Sequence, residues 1–483
     1  MNEFTARARS LDEDGRPAEA LALGWQALEQ SPGDEESKQL VVGLLQRQPS
    51  LAAPERGEDI ARLIGDPAVD PILIAPAGWQ SLLAGGALLE NPEALARSLE
   101  PGGLALKLLR ETHVTILAAE RALTRVRRWL LLSDRCRDFP GLVAALVAQA
   151  GHNGGAWPFD DEEKARLDRD PDLPIAAAYR PPRPIVGGQT AFADPVTREV
   201  ADQYRSWPYP TWSRVPAVRP TTLPAAIEEL DGGRPSTLPA AAEVLVAGCG
   251  TGREAALTAL RFPDARVTAI DISGTSLAYA EARCRALGLD QVDFRLLDLH
   301  RVDALGKAFD FITSSGVLHH LPDPEAGWAK LAAVLKPGGA MHVMVYSKIG
   351  RLKVRAAQSL VADLRGRPVD DDLLRSVRRR LIDMAPNLML ASGDFFTIAG
   401  IHDLLLHPRE DAFDVPRIVR ALDSLGLELL AFDLPTPAAR ARYRRDRPDD
   451  PAFRDVLAWA ALEKAQPFLF SGMYKFWCRK PRR

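Results

Sequence analysis

Cysteine is scarce in this chain. Four residues in 483 (Cys136, Cys249, Cys284, Cys478) lie far apart with no CxxC or CxxH pairing, which excludes a disulfide framework and offers no zinc site. Long apolar runs are missing too: no segment approaches about 18 uninterrupted apolar residues. The opening MNEFTARARSLDEDGRP has no apolar stretch of a secretory leader, so no membrane association is expected and the chain reads as cytoplasmic. An excess of one charge is also lacking. Lys and Arg number 61 against 64 Asp and Glu, a net charge of −3, which disfavours a nucleic-acid or membrane-surface binder. What is present is a 46% hydrophobic fraction, enough for buried cores, over a length that suggests roughly three units at about 150 residues each.

The chain falls into three expected parts. Residues 1–155 carry Leu, Ala and Val at helical spacing, beginning with a hairpin around Gly15-Arg16-Pro17 that stops at Ser31-Pro32-Gly33-Asp34. One continuous helix is expected around Leu104–Leu132, with Arg121, Arg125, Arg127 and Arg128 outside its apolar face. Residues 156–220 form a proline-rich connector. It is not a bare linker, because the run Gln203 to Trp212 holds Tyr204, Trp207, Tyr209 and Trp212, and disordered linkers are poor in aromatics. From 221 to 483 short β runs alternate with helices: 243–247, 265–270, 292–297, 309–313 and 340–346, then 427–434 and 473–480. Such alternation predicts a doubly wound, mostly parallel sheet. It is interrupted by a helical insertion at 348–413, in which helix 371–384 has Arg375, Arg378 and Arg379 opposite its apolar face.

The chemistry is concentrated in the third part. Gly248-Cys249-Gly250-Thr251-Gly252 follows the first strand and opens a helix, where glycines allow a tight turn and close approach of a ligand to backbone N–H groups. Arg253 stands where a dinucleotide fingerprint needs glycine, so NAD or FAD is disfavoured. Asp271 closes the second strand, placed to accept hydrogen bonds from ribose hydroxyls, and Asp298 closes the third. Ser315-Gly316-Val317-Leu318-His319-His320-Leu321-Pro322-Asp323-Pro324 follows strand four, and Leu335-Lys336-Pro337-Gly338-Gly339 precedes strand five.

In order and spacing these motifs resemble a class I S-adenosylmethionine-dependent methyltransferase. The resemblance implies an α/β, Rossmann-like sheet of seven strands in the order 3-2-1-4-5-7-6, here joined to an all-α N-terminal domain. It implies S-adenosyl-L-methionine held by Gly248, Cys249, Gly250, Thr251 and Gly252, the ribose on Asp271, and adenine beside Ile272, Asp298 and Leu299. Ser315 and Gly316 would line the methionine end. One position departs from the family pattern: an acidic residue usual two places before the first glycine is Val246. The helical hairpin at the N-terminus resembles a tetratricopeptide unit, and with the connector and the run Asp403 to Asp411 the chain looks like a bacterial subgroup of repeat-containing methyltransferases.

Methyl transfer needs a nucleophile placed in line and relieved of its proton. His320 and Tyr346, at the carboxyl ends of strands four and five, are the candidate catalytic residues. Tyr204, Tyr209 and Trp212 are candidates for an aromatic lid, and His402 and His407 for substrate contacts. No metal is expected: Pro408 breaks the helix that would align those two histidines, and a third ligand is not apparent. The methyl acceptor is an N or O nucleophile on a protein, peptide or small molecule. A cofactor-binding scaffold that uses the helical domain to bind partners is the reading from another class.

Overall fold

The β runs of the third part form one sheet in the computed structural model, which describes residues 3–86, 90–182, 195–433, 437–450, 453–467, 469–470 and 472–482. Parts of three expected segments lie outside the described residues: 183–194 of the connector, 87–89 of a helix and 434 of a strand. The strands are β1 (Glu243–Ala247), β2 (Arg266–Asp271), β3 (Asp293–Leu296), β4 (Phe309–Ser315), β5 (Leu335–Tyr346), β6 (Glu428–Phe432) and β7 (Met473–Arg479). Their order is β3-β2-β1-β4-β5-β7-β6. The first five run parallel, and β7 lies antiparallel between β5 and β6. Val244 to Ala247 and Phe309 to Ser314 are continuously buried, as parallel strands covered on both faces must be.

The chain divides into two units. One comprises Met1–Arg183, Trp212–Ala217 and Ala356–Leu406; the other comprises Pro184–Thr211, Val218–Arg355 and His407–Arg483. Most of the segment expected as an insertion in the sheet domain therefore clusters with the N-terminal helices.

The helical unit differs from its expected outline in three places. The helix expected around 104–132 is two, Leu104–Glu111 and Leu117–Leu132. The break falls on Thr112-His113-Val114-Thr115-Ile116, where four β-branched residues resist helical χ1 and favour extended backbone. Arg127, expected outside, is buried. It sits one turn from Leu123 and Leu131, donates to the carbonyls of Pro158 (2.6 Å) and Ala178 (3.2 Å), and lies 3.9 Å over the Tyr179 ring. Arg378 is likewise inside, one turn from Leu374 and Leu381 in helix Asp371–Met384, where its guanidinium forks onto Glu120 at 2.6 Å to each oxygen.

In the sheet unit, β6 and β7 are joined through two helices, Pro437–Asp446 and Val456–Ala465, an addition the strand pattern did not disclose. Tyr443 stacks on Trp459 with ring centroids 4.1 Å apart, and Arg440 and Arg444 lie over Phe453. The arginine run 440–447 is thus partly tied to an aromatic cluster.

Candidate active site

The site is built where β1 to β5 end. After Ala247 the chain turns sharply through Gly248 (φ 70°), Gly250 (φ 52°) and Gly252 (φ 83°), all in the left-handed region that a Cβ penalises. Two of these glycines are also sterically required. A Cβ on Gly248 would meet Val317 at 2.4 Å, and one on Gly252 would meet Ala280 at 2.5 Å. The first contact seats the loop after β4 against the glycine turn. The second lets helix Gly274–Ala286 close on the start of helix Arg253–Arg261, whose N-terminus faces the turn.

Asp271, the last residue of β2, braces the turn. Its Oδ2 accepts from Gly250 N–H (2.8 Å) and its Oδ1 from Ser273 N–H (2.8 Å). Each carboxylate oxygen keeps a second lone pair for a hydroxyl. Burial pushes this carboxyl above its ordinary value, while the amides of Ser273, Gly250 and Ile272 pull the other way. Burial, reinforced by Asp271, drives the Cys249 thiol up, so Cys249 is not poised as a thiolate nucleophile. Ile272 directly follows β2. Asp298 caps the turn after β3, accepting from His300 N–H (2.9 Å), with Leu299 buried beside it. Ser315 ends β4 and bonds Met344 Sδ (3.0 Å), and Gly316 N–H donates to the Met344 carbonyl (3.1 Å).

Val246 is buried in β1 and pairs in register with Thr313 of β4. The Thr313 hydroxyl lies 3.1 Å from Glu254 Oε1, in the first turn of the helix after the glycines. A carboxylate therefore reaches the neighbourhood of Val246 from the helix instead of the strand.

The connector meets the same turn. The Thr251 hydroxyl donates to the Pro210 carbonyl, and a Cβ on Gly250 would lie 3.4 Å from the Tyr209 carbonyl oxygen. Tyr209 approaches through its backbone. Tyr204 sits by His407, with ring centroids 6.1 Å apart and its hydroxyl 3.5 Å from Nε2. Trp212 and His402 belong to the helical unit.

His320 and Tyr346 share a cluster of packed rings. Tyr346 stacks on His319 (3.7 Å between centroids), and the Arg351 guanidinium lies 3.9 Å from the Tyr346 ring centre. Arg351 forks onto Glu410, its Nε 2.9 Å from Oε1. His320 stacks on His407 at 3.8 Å. Arg409 ties the cluster together: its Nε donates to the Leu321 carbonyl (2.9 Å), and a second guanidinium nitrogen donates to the Pro322 carbonyl. His319 is wholly buried, and burial, followed by its neighbours His320, Arg351 and His407, holds it neutral well below the usual histidine range. Sequence reasoning missed Arg351, Arg409 and Glu410 as partners of this cluster. The only signal was the acidic and basic pair Arg409-Glu410 directly after Pro408.

The glycine turn, braced by Asp271 and backed by Val317, is a cradle that a methionine-bearing nucleoside fits: backbone amides, a carboxylate for hydroxyls and a second acceptor at Asp298. Residues 244–339 match the family described as "Methyltransferase domain". With the strand order, this makes the sheet unit a class I methyltransferase domain whose cofactor is S-adenosylmethionine. The chain is 35% identical over 212 residues to an uncharacterised protein of Synechococcus sp., covering 42% of this chain and 49% of that one. It is 28% identical over 196 residues to trans-aconitate 2-methyltransferase of Paracidovorax citrulli, covering 41% and 72%. Among solved structures it is similar to PKMT2 of Rickettsia typhi in complex with AdoHcy, at 16% identity and a TM-score of 0.40, covering 56% and 55%. The chain thus spans about half the length of the first of these relatives. Among the described residues, no helix is long and apolar enough to cross a membrane.

Proposed function

We propose that this protein is an S-adenosylmethionine-dependent methyltransferase acting on a protic nitrogen or oxygen nucleophile, with His320 receiving the nucleophile's proton. The observation that carries the reading is the seating of Val317 on Gly248, which fixes the loop bearing His320 against the cofactor turn. When bound, the cofactor supplies an electrophilic methyl on a sulfonium. The chain's part is to hold an acceptor in line with that methyl and to take its proton. Asp271 and the turn amides hold the nucleoside end, and Ser315 and Gly316 line the other. Tyr346, locked between His319 and Arg351, shapes the acceptor side. Tyr204 and Tyr209 form the cover over it.

His320 and Tyr346 are both about 8% exposed, so the acceptor atom has to reach inward. That suits a small molecule, or one side chain of a peptide delivered through the helical unit, whose first hairpin resembles a tetratricopeptide element. Methyl incorporation from labelled S-adenosylmethionine into a host lysate lacking the protein separates the two. Label in protease-sensitive macromolecules assigns a protein acceptor, and label only in the small-molecule fraction assigns a metabolite.

His320→Asn tests the base itself. It keeps a donor toward the Arg409 carbonyl and deletes Nε2, so kcat falls about 10²–10⁴-fold while cofactor affinity holds. Full activity in that variant sinks the assignment of His320. Asp271→Ala, which removes the carboxylate bracing the turn, abolishes cofactor binding and turnover together. A partner phenotype that survives Asp271→Ala would favour the scaffold reading.

A further inference from the structure

Three buried histidines, His319, His320 and His407, meet beside Tyr346. Each has its Nδ1 tied to a main-chain group, and a main-chain group has only one polarity: an N–H donates and a C=O accepts. The partner of Nδ1 therefore assigns each ring's tautomer. Tyr346 N–H donates to His319 Nδ1 (3.1 Å), so the neutral His319 ring carries its proton on Nε2. Arg409 N–H donates to His407 Nδ1 (3.1 Å), so His407 also carries its proton on Nε2, the atom that faces the Tyr204 hydroxyl at 3.5 Å. His320 is the reverse. Its Nδ1 lies 2.9 Å from the Arg409 carbonyl oxygen, so Nδ1 holds the proton and Nε2 of the neutral ring holds the lone pair.

We infer that the single peptide unit of Arg409 sets opposite tautomers on two stacked imidazoles, with His407 as the positioning residue that orients it and so makes His320 the ring of the three whose Nε2 is basic. The inference rests on the proposed reading only in giving that Nε2 a use. The arrangement is built to hold. The Arg409 side chain grips the carbonyls of Leu321 and Pro322, just past His320, and Asp411 N–H donates to the His319 carbonyl (2.8 Å). Residues 407–411 thereby run as a strap along the loop that carries both histidines. The two residues between which the strap is fixed are local: His407 accepts from the amide two positions on, across Pro408, whose fixed φ and missing N–H keep that turn from relaxing into a helix.

The assignment also says how His407 substitutions differ. In an asparagine the amide oxygen takes the place of Nδ1, so His407→Asn still accepts from Arg409 N–H. His407→Phe keeps the stack and loses the acceptor. His407→Gln moves its amide to the Nε2 position and also loses it.

The test is ring nitrogen NMR of the full chain, uniformly labelled at histidine. Only eight histidines are present, and single substitutions assign them. The expected result at neutral pH is an unprotonated Nε2 on His320 and an unprotonated Nδ1 on both His319 and His407. In His407→Phe the His320 signal moves toward the other tautomer and kcat drops about tenfold or more with KM for cofactor unchanged; His407→Asn restores the His320 signal and most of the lost rate. An unprotonated Nδ1 on His320, or protons on both its nitrogens, overturns the assignment. A His320 tautomer unmoved in His407→Phe overturns the positioning role. The proposed reading fails separately: predicted tautomers in a protein whose His320→Asn variant turns over normally leave the assignment standing and remove His320 as the base.

Discussion

The carboxylate of Glu120 and the guanidinium of Arg378, 258 positions apart in the chain, meet in two hydrogen bonds of 2.6 Å inside the helical unit. Both side chains are nearly inaccessible, at 3% and 2%, and Arg378 Nε is used as well, on the Phe395 carbonyl (2.9 Å). The pair joins a helix of the N-terminal region to residues 356–406, which arrive only after five strands of the sheet have been laid down. Removing one partner strands a buried charge, whereas replacing both with apolar residues removes the cost of burying them. Glu120→Ala is expected to lower unfolding free energy by about 3–5 kcal/mol, and the pair Glu120→Leu with Arg378→Met to recover most of it. Chemical denaturation of the three proteins checks this. Equal loss in the single and double variants would show that the ion pair is not what ties the segment down. The same logic predicts that a chain starting at residue 221 exposes Arg378 and its apolar helix face, and is recovered aggregated or with 356–406 open to protease.

Gly248 and Gly288 separate backbone strain from close contact. Their φ values are 70° and 71°, yet a Cβ at Gly288 meets nothing within 4 Å while one at Gly248 meets Val317 at 2.4 Å. Gly288→Ala is expected to cost only the left-handed penalty, about 1–2 kcal/mol, and to bind cofactor normally. Gly248→Ala adds displacement of the Val317 loop and loses S-adenosylmethionine binding by equilibrium dialysis. Similar behaviour of the two variants would mean the loop after β4 tolerates movement and does not define the cofactor cradle.

What was legible in the sequence is what is encoded locally. The glycine turn, the carboxylate ending β2 and the alternation of apolar runs each announce themselves within a few residues, and the seven strands follow from them in the observed order. What escaped depends on partners far along the chain. Arg127 and Arg378 read as solvated because charge is normally outside, and only the carbonyls of Pro158 and Ala178, or Glu120, make their burial tolerable. The helices between β6 and β7 were hidden by an arginine-rich stretch whose apolar contacts are supplied by Phe453 and Trp459. The place of His407 beside His320 depends on the strap at Arg409, which no periodicity records.

Glu254 supplies a carboxylate near a position where β1 has none. Its Oε1 is held by the Thr313 hydroxyl (3.1 Å), and Thr313 is the register partner of Val246. A cationic ammonium on the methionine end of the cofactor would draw on such a group. Glu254→Gln keeps the hydrogen bond from Thr313 and deletes the charge, and cofactor affinity is expected to fall about tenfold, or about 1.4 kcal/mol. Val246→Asp in that background should restore it. Calorimetric titration of the three proteins decides the matter; unchanged affinity in Glu254→Gln places the ammonium elsewhere.

Acid should weaken the fold before its carboxylates titrate, because buried histidines resist protonation. Burial takes His402 from 6.5 down to about 4, and His319 lies well below its ordinary value for the same dominant reason. Between those limits the unfolded chain binds a proton that the native His402 refuses, so stability is fully present above pH 6.5 and falls as pH drops toward 4. At about 1.4 kcal/mol per unit, His402 alone accounts for about 3 kcal/mol across that window, and His319 adds a decline of the same sign. Asp231, held low by Arg454 and Arg479 despite its burial, loses its contribution only further down, as pH falls through the carboxylate range. His402→Leu removes the refused proton and leaves the other groups in place. The difference in unfolding free energy between wild type and His402→Leu should therefore shrink or change sign steadily from pH 6.5 to 4, read from urea midpoints at each pH. A difference that stays constant over that range would mean His402 takes up its proton in the folded protein as readily as in the unfolded chain.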